Sequence, residues 1–353
     1  MSNLYLDINV IQSVPPNCIN RDDTGSPKTA IYGGVKRARV SSQSWKKAMR
    51  DYFKENFDEK ELAYRSVRII PIIAEAIVRK NPETSEENAT SMATNALKLL
   101  GIKTKELNTA ALFFISKKQA DNIADVMLNG DADKKKLTEA LKKNKGIELS
   151  LFGRMVADDP GLNVDASSQV AHSISTHRVE NEYDFYTAVD DKRSESEQGA
   201  GMMGVIEYNS STLYRYSTIA IHDLKSNLDD PDVVSKAIGA FVKAFIISMP
   251  NGKQNTFANR TLPYAVLITL RIDQPLNLVG AFESPVRPDK ENGGYNVNSV
   301  KKMVEYKESV ESSFVSKPVM SWQIGFGLES VGPSSSLEDA ISQIERYIAE
   351  QEF

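Results

Sequence analysis

The 353-residue sequence predicts an α+β protein in which strand-rich segments flank a block of helices. Residues 4–14 alternate apolar and polar side chains, which indicates a half-buried strand that Pro15-Pro16 should end. Residues 59–145 instead carry apolar side chains at helical spacing. Strand-like sequence returns after residue 145 and alternates there with further helical segments. The expected fold is therefore a sheet-and-helix domain with one large helical insertion.

The segment after the first strand predicts a hairpin followed by a helix. Strands are expected at Thr29–Tyr32 and Val35–Val40, because the Gly33-Gly34 pair between them is a turn signal. The Ser41-Ser42 pair is typical of a helix N-cap, so a helix should run over about 43–53. Three large apolar side chains at four-residue spacing should face the core: Trp45, Met49 and Phe53.

The remaining elements follow from periodicity and from helix-breaking residues. A polar stretch with several glycines, 190–204, is expected to form an excursion between strands. Prolines, glycines and asparagines divide the insertion into four predicted helices, 62–80, 85–100, 107–128 and 131–145. Strands are then expected at 146–155, 175–182, 213–221, 264–272 and 319–326, and helices at 164–173, 231–247, 299–313 and 337–350.

Composition excludes several classes of protein. The formal net charge of −4 argues against a chain that coats nucleic acid through overall basicity, but it leaves room for a local basic groove. The single cysteine, Cys18, rules out an intrachain disulfide and fits a reducing compartment. No apolar run approaches the ~20 residues that span a bilayer, and the N-terminus lacks the features of a signal peptide. We therefore expect a cytoplasmic protein with no membrane partner.

The first candidate site is an acid-free basic stretch, 24–50. It holds seven cationic residues, which is unusual in a chain of negative net charge. A helix that begins near Ser42 adds free backbone N–H groups and a partial positive charge, so the stretch favours phosphate binding. A solvated basic face without a ligand explains the same charges equally well. The cations are Lys28, Lys36, Arg37, Arg39, Lys46, Lys47 and Arg50.

Other candidate residues carry weaker signals. Gly153-Arg154-Met155 combines a glycine, a cation and a flexible apolar side chain, yet an ordinary buried methionine is the better explanation from these three residues alone. His172 and His177 match no metal-ligand pattern. The Asp22-Asp23 pair could hold a divalent ion, although adjacent acids in a loop are usually turn-forming residues. Common phosphate-loop and hydrolase motifs are missing, so we expect no enzyme activity, no metal and no cofactor.

Several short blocks, taken in order, resemble one known family. The blocks are Cys18-Ile-Asn-Arg-Asp-Asp23, Ile31-Tyr-Gly-Gly34, Arg39-Val-Ser-Ser-Gln-Ser44, Lys46-Lys-Ala-Met-Arg50, Gly153-Arg-Met155, Ala171-His-Ser-Ile-Ser-Thr-His177, Phe185-Tyr-Thr-Ala-Val-Asp-Asp191, Tyr214-Arg-Tyr216 and Lys253-Gln254. Their order and spacing, rather than any single block, resemble the CasC (Cse4) family, the CRISPR RNA-binding backbone subunit of the type I-E Cascade complex. The matching blocks end near residue 260, and the rest of the chain matches only in general character.

The resemblance implies a hand-shaped protein. Its palm, 1–58 and 146–353, would be a modified RRM-like (ferredoxin-like) sheet, with helical fingers at 59–145 and a β-hairpin thumb at about 185–207. Several copies would stack along one CRISPR RNA, grip its backbone without cutting it, and present the guide for pairing in antiviral defence. The implied partners are CRISPR RNA, further copies of the chain, other Cascade subunits and, through the guide, target DNA.

The resemblance also assigns roles to residues. The implied RNA-binding residues are Asn20, Arg21, Ser41, Ser42, Gln43, Ser44, Lys46, Lys47, Arg50, Arg154, Met155, Phe185, Tyr186, Thr187 and Met203. Contacts with incoming duplex DNA would fall to Lys135, Lys136, Lys142 and Lys143, although a solvated helix explains these lysines equally well. Two alternatives stay open: a metal-dependent RNA-cleaving backbone subunit that uses Asp22 or Asp23, and a generic RNA chaperone without partners.

Overall fold

The structure is a computed structural model that describes residues 3–58, 61–188, 202–228, 230–291 and 293–350. Its strands, in chain order, are β1 (Tyr5–Asn17), β2 (Thr29–Tyr32), β3 (Val35–Val40), β4 (Ala63–Ser66), β5 (Thr104–Lys105), β6 (Asn108–Thr109), β7 (Phe113–Ser116), β8 (Ser168–Val170), β9 (Ser173–Ser175), β10 (Glu182–Ala188), β11 (Met202–Ala220), β12 (Ala265–Arg271) and β13 (Met320–Gly325). Its helices are α1 (Ser42–Asn56), α2 (Ile69–Lys80), α3 (Glu86–Leu99), α4 (Lys117–Leu128), α5 (Lys134–Lys142), α6 (Ile147–Phe152), α7 (Ile221–Asn227), α8 (Pro231–Ile247), α9 (Gln254–Phe257), α10 (Asn296–Ser313) and α11 (Leu337–Glu350).

The chain is an α+β protein, as the sequence predicts, and its main sheet is antiparallel. Its strands lie in the order β13-β12-β1-β11-β9-β3-β2, and β8 and β10 also pair with β11. The central strand β1 places Ile8 opposite Ile268 of β12 and Ser217 of β11. Apolar side chains cover both faces of β1, so residues 6–12 are all buried, whereas their alternation predicts a half-buried strand.

Burial of both faces places polar side chains of β1 in the core, among them Asp7 and Asn9. The hydroxyl of Tyr216 donates to Oδ1 of Asp7 at 2.8 Å, and that of Tyr214 donates to Oδ1 of Asn9 at 2.7 Å. The backbone N–H of Leu276 donates to Oδ2 of Asp7 at 2.8 Å. Burial still raises the pKa of Asp7 from its ordinary value of 3.8 to about 6.

The titration of Asp7 should make the protein less stable as pH rises. The native state binds the Asp7 proton more tightly than the unfolded chain, so this stabilisation is complete below pH 3.8 and lost as pH rises through about 6. It corresponds to about 3 kcal/mol. Denaturant unfolding should therefore show Asp7→Asn gaining about 3 kcal/mol relative to the wild type between about pH 3 and pH 8. A constant difference between the two proteins across this range would contradict the prediction.

Helix α1 is fixed to the sheet through its buried face. Trp45, Met49 and Phe53 are all buried, which confirms the sequence prediction. The indole Nε1 of Trp45 donates to Oγ of Ser173 at 2.9 Å. The guanidinium of Arg215 lies 3.8 Å from the centroid of the Trp45 ring, and burial lowers the pKa of Arg215 to about 9. These contacts fix the position of the α1 N-terminus on the sheet.

Helices α2 to α5 pack on one another around a second apolar cluster. Its buried members include Ile73, Ala93, Ile123 and Leu137, and Leu162 joins it from beyond residue 145. The short β4–β7 ladder lies at the base of this helical unit and contacts α6. Among the described helices, none has the length and apolarity that a membrane span needs.

Several sequence predictions for single elements are wrong. The predicted strand at 146–155 is helix α6, whose first five residues are all buried, so that periodicity cannot separate helix from strand. The predicted helix at 164–173 contains β8, because pairing with β11 outweighs its local preference. The predicted helices at 62–80 and 107–128 contain strands β4 and β7 before α2 and α4 begin. Strand β1 continues through Pro15-Pro16 with a shift in register. Most of the strand predicted at 175–182 is a connection instead, because residues 176–181 link β9 to β10.

Candidate nucleic-acid interface

The N-terminus of α1 has the geometry of an anion site. Ser41 is the N-cap, and its Oγ accepts a hydrogen bond from the backbone N–H of Ser44 at 3.3 Å. Oδ1 of Asn20 accepts the backbone N–H of Ser41 at 2.8 Å, which ties the preceding loop to the helix. Ser42 and Gln43 follow, and the first turn contains no acidic residue. The structure thus brings these predicted RNA-binding residues together.

The loop before β2 is organised by the carboxylate of Asp22. Its Oδ1 accepts hydrogen bonds from the Thr24 N–H at 2.9 Å, the Thr24 hydroxyl at 2.7 Å and the Ser26 N–H at 3.0 Å. The bond from the Thr24 hydroxyl is the main reason that the pKa of Asp22 lies below its ordinary value. Arg21 is exposed and its backbone bridges to Pro27. Asp22 therefore shapes the loop that presents Arg21 to solvent.

The three predicted RNA-binding cations of α1 lie in different environments. Lys47 is exposed and pairs with Asp51 at 2.6 Å. Nε of Arg50 donates to Oε1 of Glu148 at 2.7 Å, and the Glu148 side chain is fully buried. Lys46 is partly buried and contacts no carboxylate within the described part of the chain. Lys46 is therefore available to a phosphate, whereas Arg50 first neutralises a buried acid.

Arg154 lies inside the protein, although the resemblance assigns it to the RNA. Only 6% of the residue is exposed, and its guanidinium donates to the carbonyl oxygens of Leu162 and Phe114, each at 2.9 Å. The Phe113 ring centroid lies 4.8 Å from its Cζ. Burial lowers the pKa of Arg154 to about 10. In this geometry Arg154 positions the next residue, Met155, rather than offering its charge to a ligand.

Met155 is 85% exposed, so the explanation as an ordinary buried methionine is wrong. Gly153 precedes it with a φ of +73°, and a Cβ there would lie 2.8 Å from the carbonyl oxygen of Val164. Glycine is therefore needed for this close approach of the two backbone segments. The buried Arg154 and the tight turn at Gly153 together hold Met155 out in solvent.

Replacing Met155 by alanine should leave the fold intact and weaken RNA binding. Its exposure predicts a change of less than about 0.5 kcal/mol in the free energy of unfolding. Loss of a methionine contact with a base should cost about 1 kcal/mol, or about fivefold in affinity. Thermal unfolding and RNA titration measure the two effects. Met49→Ala, in a fully buried position, is the control and should lose about 2–5 kcal/mol of stability. A comparable loss for Met155→Ala would contradict the exposed position of Met155.

Strand β10 and the start of β11 form a two-stranded ribbon in which every residue of β10 is exposed. Opposite residues of an antiparallel pair share a face, so one face of the ribbon is largely apolar. On that face Phe185 and Met203 are 64% and 66% exposed. The pairs on this face are Tyr183 with Glu207, Phe185 with Val205, and Thr187 with Met203. We call these six residues the apolar ribbon face.

Tyr186 lies on the other face of the ribbon, although it is adjacent to Phe185 in the sequence. It is paired with Gly204, and a Cβ on Gly204 would lie 2.5 Å from the Tyr186 hydroxyl oxygen. The tyrosine ring thus covers the glycine. Phe185, Thr187 and Met203 are brought together, and Tyr186 is not. The part of the predicted thumb and excursion at 189–201 lies outside the described residues.

The structure also brings together two cations of the basic stretch, Lys28 and Arg39, to which the resemblance assigns no role. Nη1 of Arg39 lies 3.2 Å from Nδ1 of His172, and burial, then the charges of Arg39 and Lys28, lower the pKa of His172. Arg37 belongs to the same strand but is fully buried and donates to backbone carbonyls, so it is not available to a ligand. Sequence alone gives no signal that separates Arg37 from Arg39, because both have the same parity on β3.

The four lysines predicted to contact DNA lie on α5 or at its C-terminal end, and all are exposed. Lys136 and Lys142 each form an ion pair with a nearby carboxylate, with Asp131 and Glu139 respectively. Lys135 and Lys143 lie close enough to Glu139 to lower its pKa, after Lys142, which has the largest effect. The local carboxylates thus offset part of the positive charge of this surface.

Comparison with known proteins places the chain in one family. The CT1975-like protein family model matches residues 6–349. A solved structure described as a CRISPR RNA-guided surveillance complex, pre-nicking, contains a chain that is similar to this one, with a TM-score of 0.83, 29% identity, and coverage of 98% of this chain and 99% of that chain. A chain of a second CRISPR RNA-guided surveillance complex gives a TM-score of 0.64 at 26% identity, with 98% of each chain covered. The curated proteins contain no match. The chain belongs to the CT1975-like protein family.

Proposed function

We propose that this protein is a non-catalytic backbone subunit that holds CRISPR RNA in a type I-E Cascade surveillance complex, and that it is a CasC (Cse4) protein. The observation that carries the proposal is the apolar ribbon face, whose aromatic and methionine side chains are exposed to solvent. The likeness to chains of CRISPR RNA-guided surveillance complexes over nearly the whole length supports it. The protein would act in the cytoplasm in antiviral defence.

The exposed ribbon suits a nucleic acid that is bound independently of its base sequence. A two-stranded hairpin is at best marginally stable on its own in water, so a ribbon with exposed apolar side chains gains by packing against another molecule. Aromatic side chains stack on any base, and phosphate contacts carry no sequence information. The α1 N-terminus supplies the second kind of contact. Together the two surfaces suit an RNA of variable sequence.

In this proposal the main sheet is an RRM-like palm, the helical unit forms the fingers, and the ribbon is the base of the thumb. Several copies stack along one CRISPR RNA beside other Cascade subunits, and the guide pairs with target DNA. Lys135 on α5 and Lys143 at its C-terminal end are exposed and best placed to meet that DNA, because they form no ion pair among the described residues.

The alternative is an RNA-cleaving backbone subunit that uses Asp22 or Asp23. The three hydrogen bonds that Oδ1 of Asp22 accepts from its own loop favour the turn-forming role. Incubating the assembled complex with complementary RNA and Mg²⁺ separates the two functions. Intact RNA is expected, whereas regularly spaced cuts that vanish in Asp22→Ala or Asp23→Ala would establish cleavage.

The RNA grip can be tested at Lys46, which contacts no carboxylate in the described part of the chain. Lys46→Ala should weaken RNA binding several-fold and reduce the slope of log affinity against log salt by about 0.7, as expected for one lost phosphate contact with a single strand. Lys54→Ala, an exposed lysine in the last turn of the same helix, is the matched control. If both variants show the same salt dependence as the wild type, Lys46 does not contact an RNA phosphate.

A further inference from the structure

The β4–β7 ladder carries a cation that sequence reasoning missed. Arg65 of β4 lies directly opposite Phe114 of β7, so both side chains are on one face of the ladder. Cζ of Arg50 on α1 lies 4.9 Å from the centroid of the same Phe114 ring. Lys46 is one helical turn before Arg50 on the same side of α1. The base of the helical unit therefore places Arg65 beside the cationic face of α1.

Lys46 and Arg65 are like charges held near each other. Arg65 is exposed, and neither residue contacts a carboxylate among the residues the structure describes. Burial, and then the charge of Arg65, lower the pKa of Lys46. Glu148 is the buried acid at the junction between the sheet and the helical unit. Its two carboxylate oxygens already accept hydrogen bonds from Arg50 and from the Ala63 N–H. The junction thus keeps two cationic groups whose repulsion a bound anion would relieve.

We propose that Arg65 and Lys46 together bind one phosphate of the RNA backbone at the junction between the sheet and the helical unit. This inference rests on the proposed function, and it adds a residue that neither the resemblance nor the motifs assign. The guanidinium of Arg65 supplies a planar fork for two phosphate oxygens, and the Lys46 ammonium supplies a point charge. The ligand is a phosphodiester and is bound without regard to base.

The position of the pair also suggests a path for the RNA backbone along α1. Lys46 follows Ser42 by four residues, a rise of about 6 Å along the helix. A strand with one phosphate at the α1 N-terminus would place another phosphate at Lys46 and Arg65. The strand would then pass from the sheet toward Phe114, whose carbonyl oxygen accepts a hydrogen bond from Arg154, the residue before Met155. Phosphate binding and the exposed methionine would thus lie on one path.

The test compares Arg65→Ala with Arg68→Ala, an exposed arginine three residues later, in the full chain assembled on CRISPR RNA. Arg65→Ala should weaken RNA retention about five- to tenfold and lower the salt slope by about 0.7, whereas Arg68→Ala should leave both unchanged. The Lys46→Ala, Arg65→Ala double variant should lose less than the product of the two single effects, because both residues share one phosphate. Arg65→Lys should restore the salt slope, and unchanged thermal unfolding verifies that each variant is folded.

Each outcome decides between named alternatives. If Arg65→Ala behaves like Arg68→Ala, the shared phosphate site is wrong while the proposed function stands. Additive effects of the two single variants would also overturn the shared site. If Arg65→Ala retains RNA normally and loses only capture of target DNA, the phosphodiester belongs to the DNA and the assignment to the guide is wrong. If the wild-type chain retains no CRISPR RNA, the proposed function fails and this inference fails with it.

Discussion

Replacing Arg50 by alanine should lower the free energy of unfolding by about 3–5 kcal/mol, because it leaves a buried acid without its cation. The Glu148 side chain is fully buried and that of Arg50 is 17% exposed, so solvent cannot replace the lost partner effectively. Oε2 of Glu148 accepts the Ala63 N–H at 3.0 Å, so the damage should extend to β4. Denaturant unfolding of the free protein measures this loss.

A second substitution separates the charge from the packing of Arg50. Arg50→Ala with Glu148→Gln removes the orphaned charge and keeps an oxygen that can accept the Ala63 N–H. This double variant should recover most of the lost stability. If Arg50→Ala alone costs less than about 1 kcal/mol, the ion pair between Arg50 and Glu148 contributes little to stability. That result would favour a contact between Arg50 and an RNA phosphate. A test of RNA binding at this position therefore needs the stability measurement beside it.

Replacing Phe185 and Met203 by alanine together should weaken RNA-bound assembly by about 100-fold and leave the fold intact. Each side chain lies on the apolar ribbon face and is about two-thirds exposed, so neither contributes much to the core. Loss of a base stacked on Phe185 should cost about 1–3 kcal/mol, and loss of a base contact with Met203 about 1 kcal/mol. Unfolding curves and titration of CRISPR RNA into the purified protein measure the two effects.

The control for this experiment is an exposed phenylalanine elsewhere in the chain. Phe314, at the end of α10, is 83% exposed, so Phe314→Ala removes a similar apolar surface outside the ribbon. It should leave RNA affinity within about twofold of the wild type. Equal losses for the ribbon variant and for Phe314→Ala would mean that general surface apolarity, rather than the ribbon, governs binding. If the Phe185→Ala, Met203→Ala variant is unfolded, these side chains stabilise the fold.

The elements that sequence reasoning placed correctly are those with strong local signals. Helix α8 starts at Pro231 after an Asp230 cap, and its observed bounds equal the prediction. Strands β2 and β3 also match, because Gly33 and Gly34 adopt positive φ values that turn the chain between them. Helix α6 and strand β8 were missed, because one is buried on all sides and the other forms only through pairing with β11. In those segments tertiary contacts outweigh local preference.

The candidate site was predictable in its location and less so in its chemistry. The basic stretch did lead to the α1 N-terminus, and the ordered motifs located Met155 and the ribbon. Whether a cation is free to bind a ligand depends on partners that are distant in sequence. The periodicity of the sequence carries no information about those partners. Arg50 is bound by Glu148, ninety-eight residues later, and Arg154 by the carbonyl of Phe114, forty residues earlier. The proposed phosphate ligand Arg65 has no signal in the sequence, because it lies in a segment predicted to be helical.

The mass of the native particle tests the central claim most directly. The chain would be co-expressed with CRISPR RNA and its partner subunits, purified without denaturation, and weighed by native mass spectrometry. We predict one RNA molecule bound by several copies of this chain, with a copy number that rises when the guide is lengthened. A particle that holds a single copy, or that carries no RNA, would contradict the account.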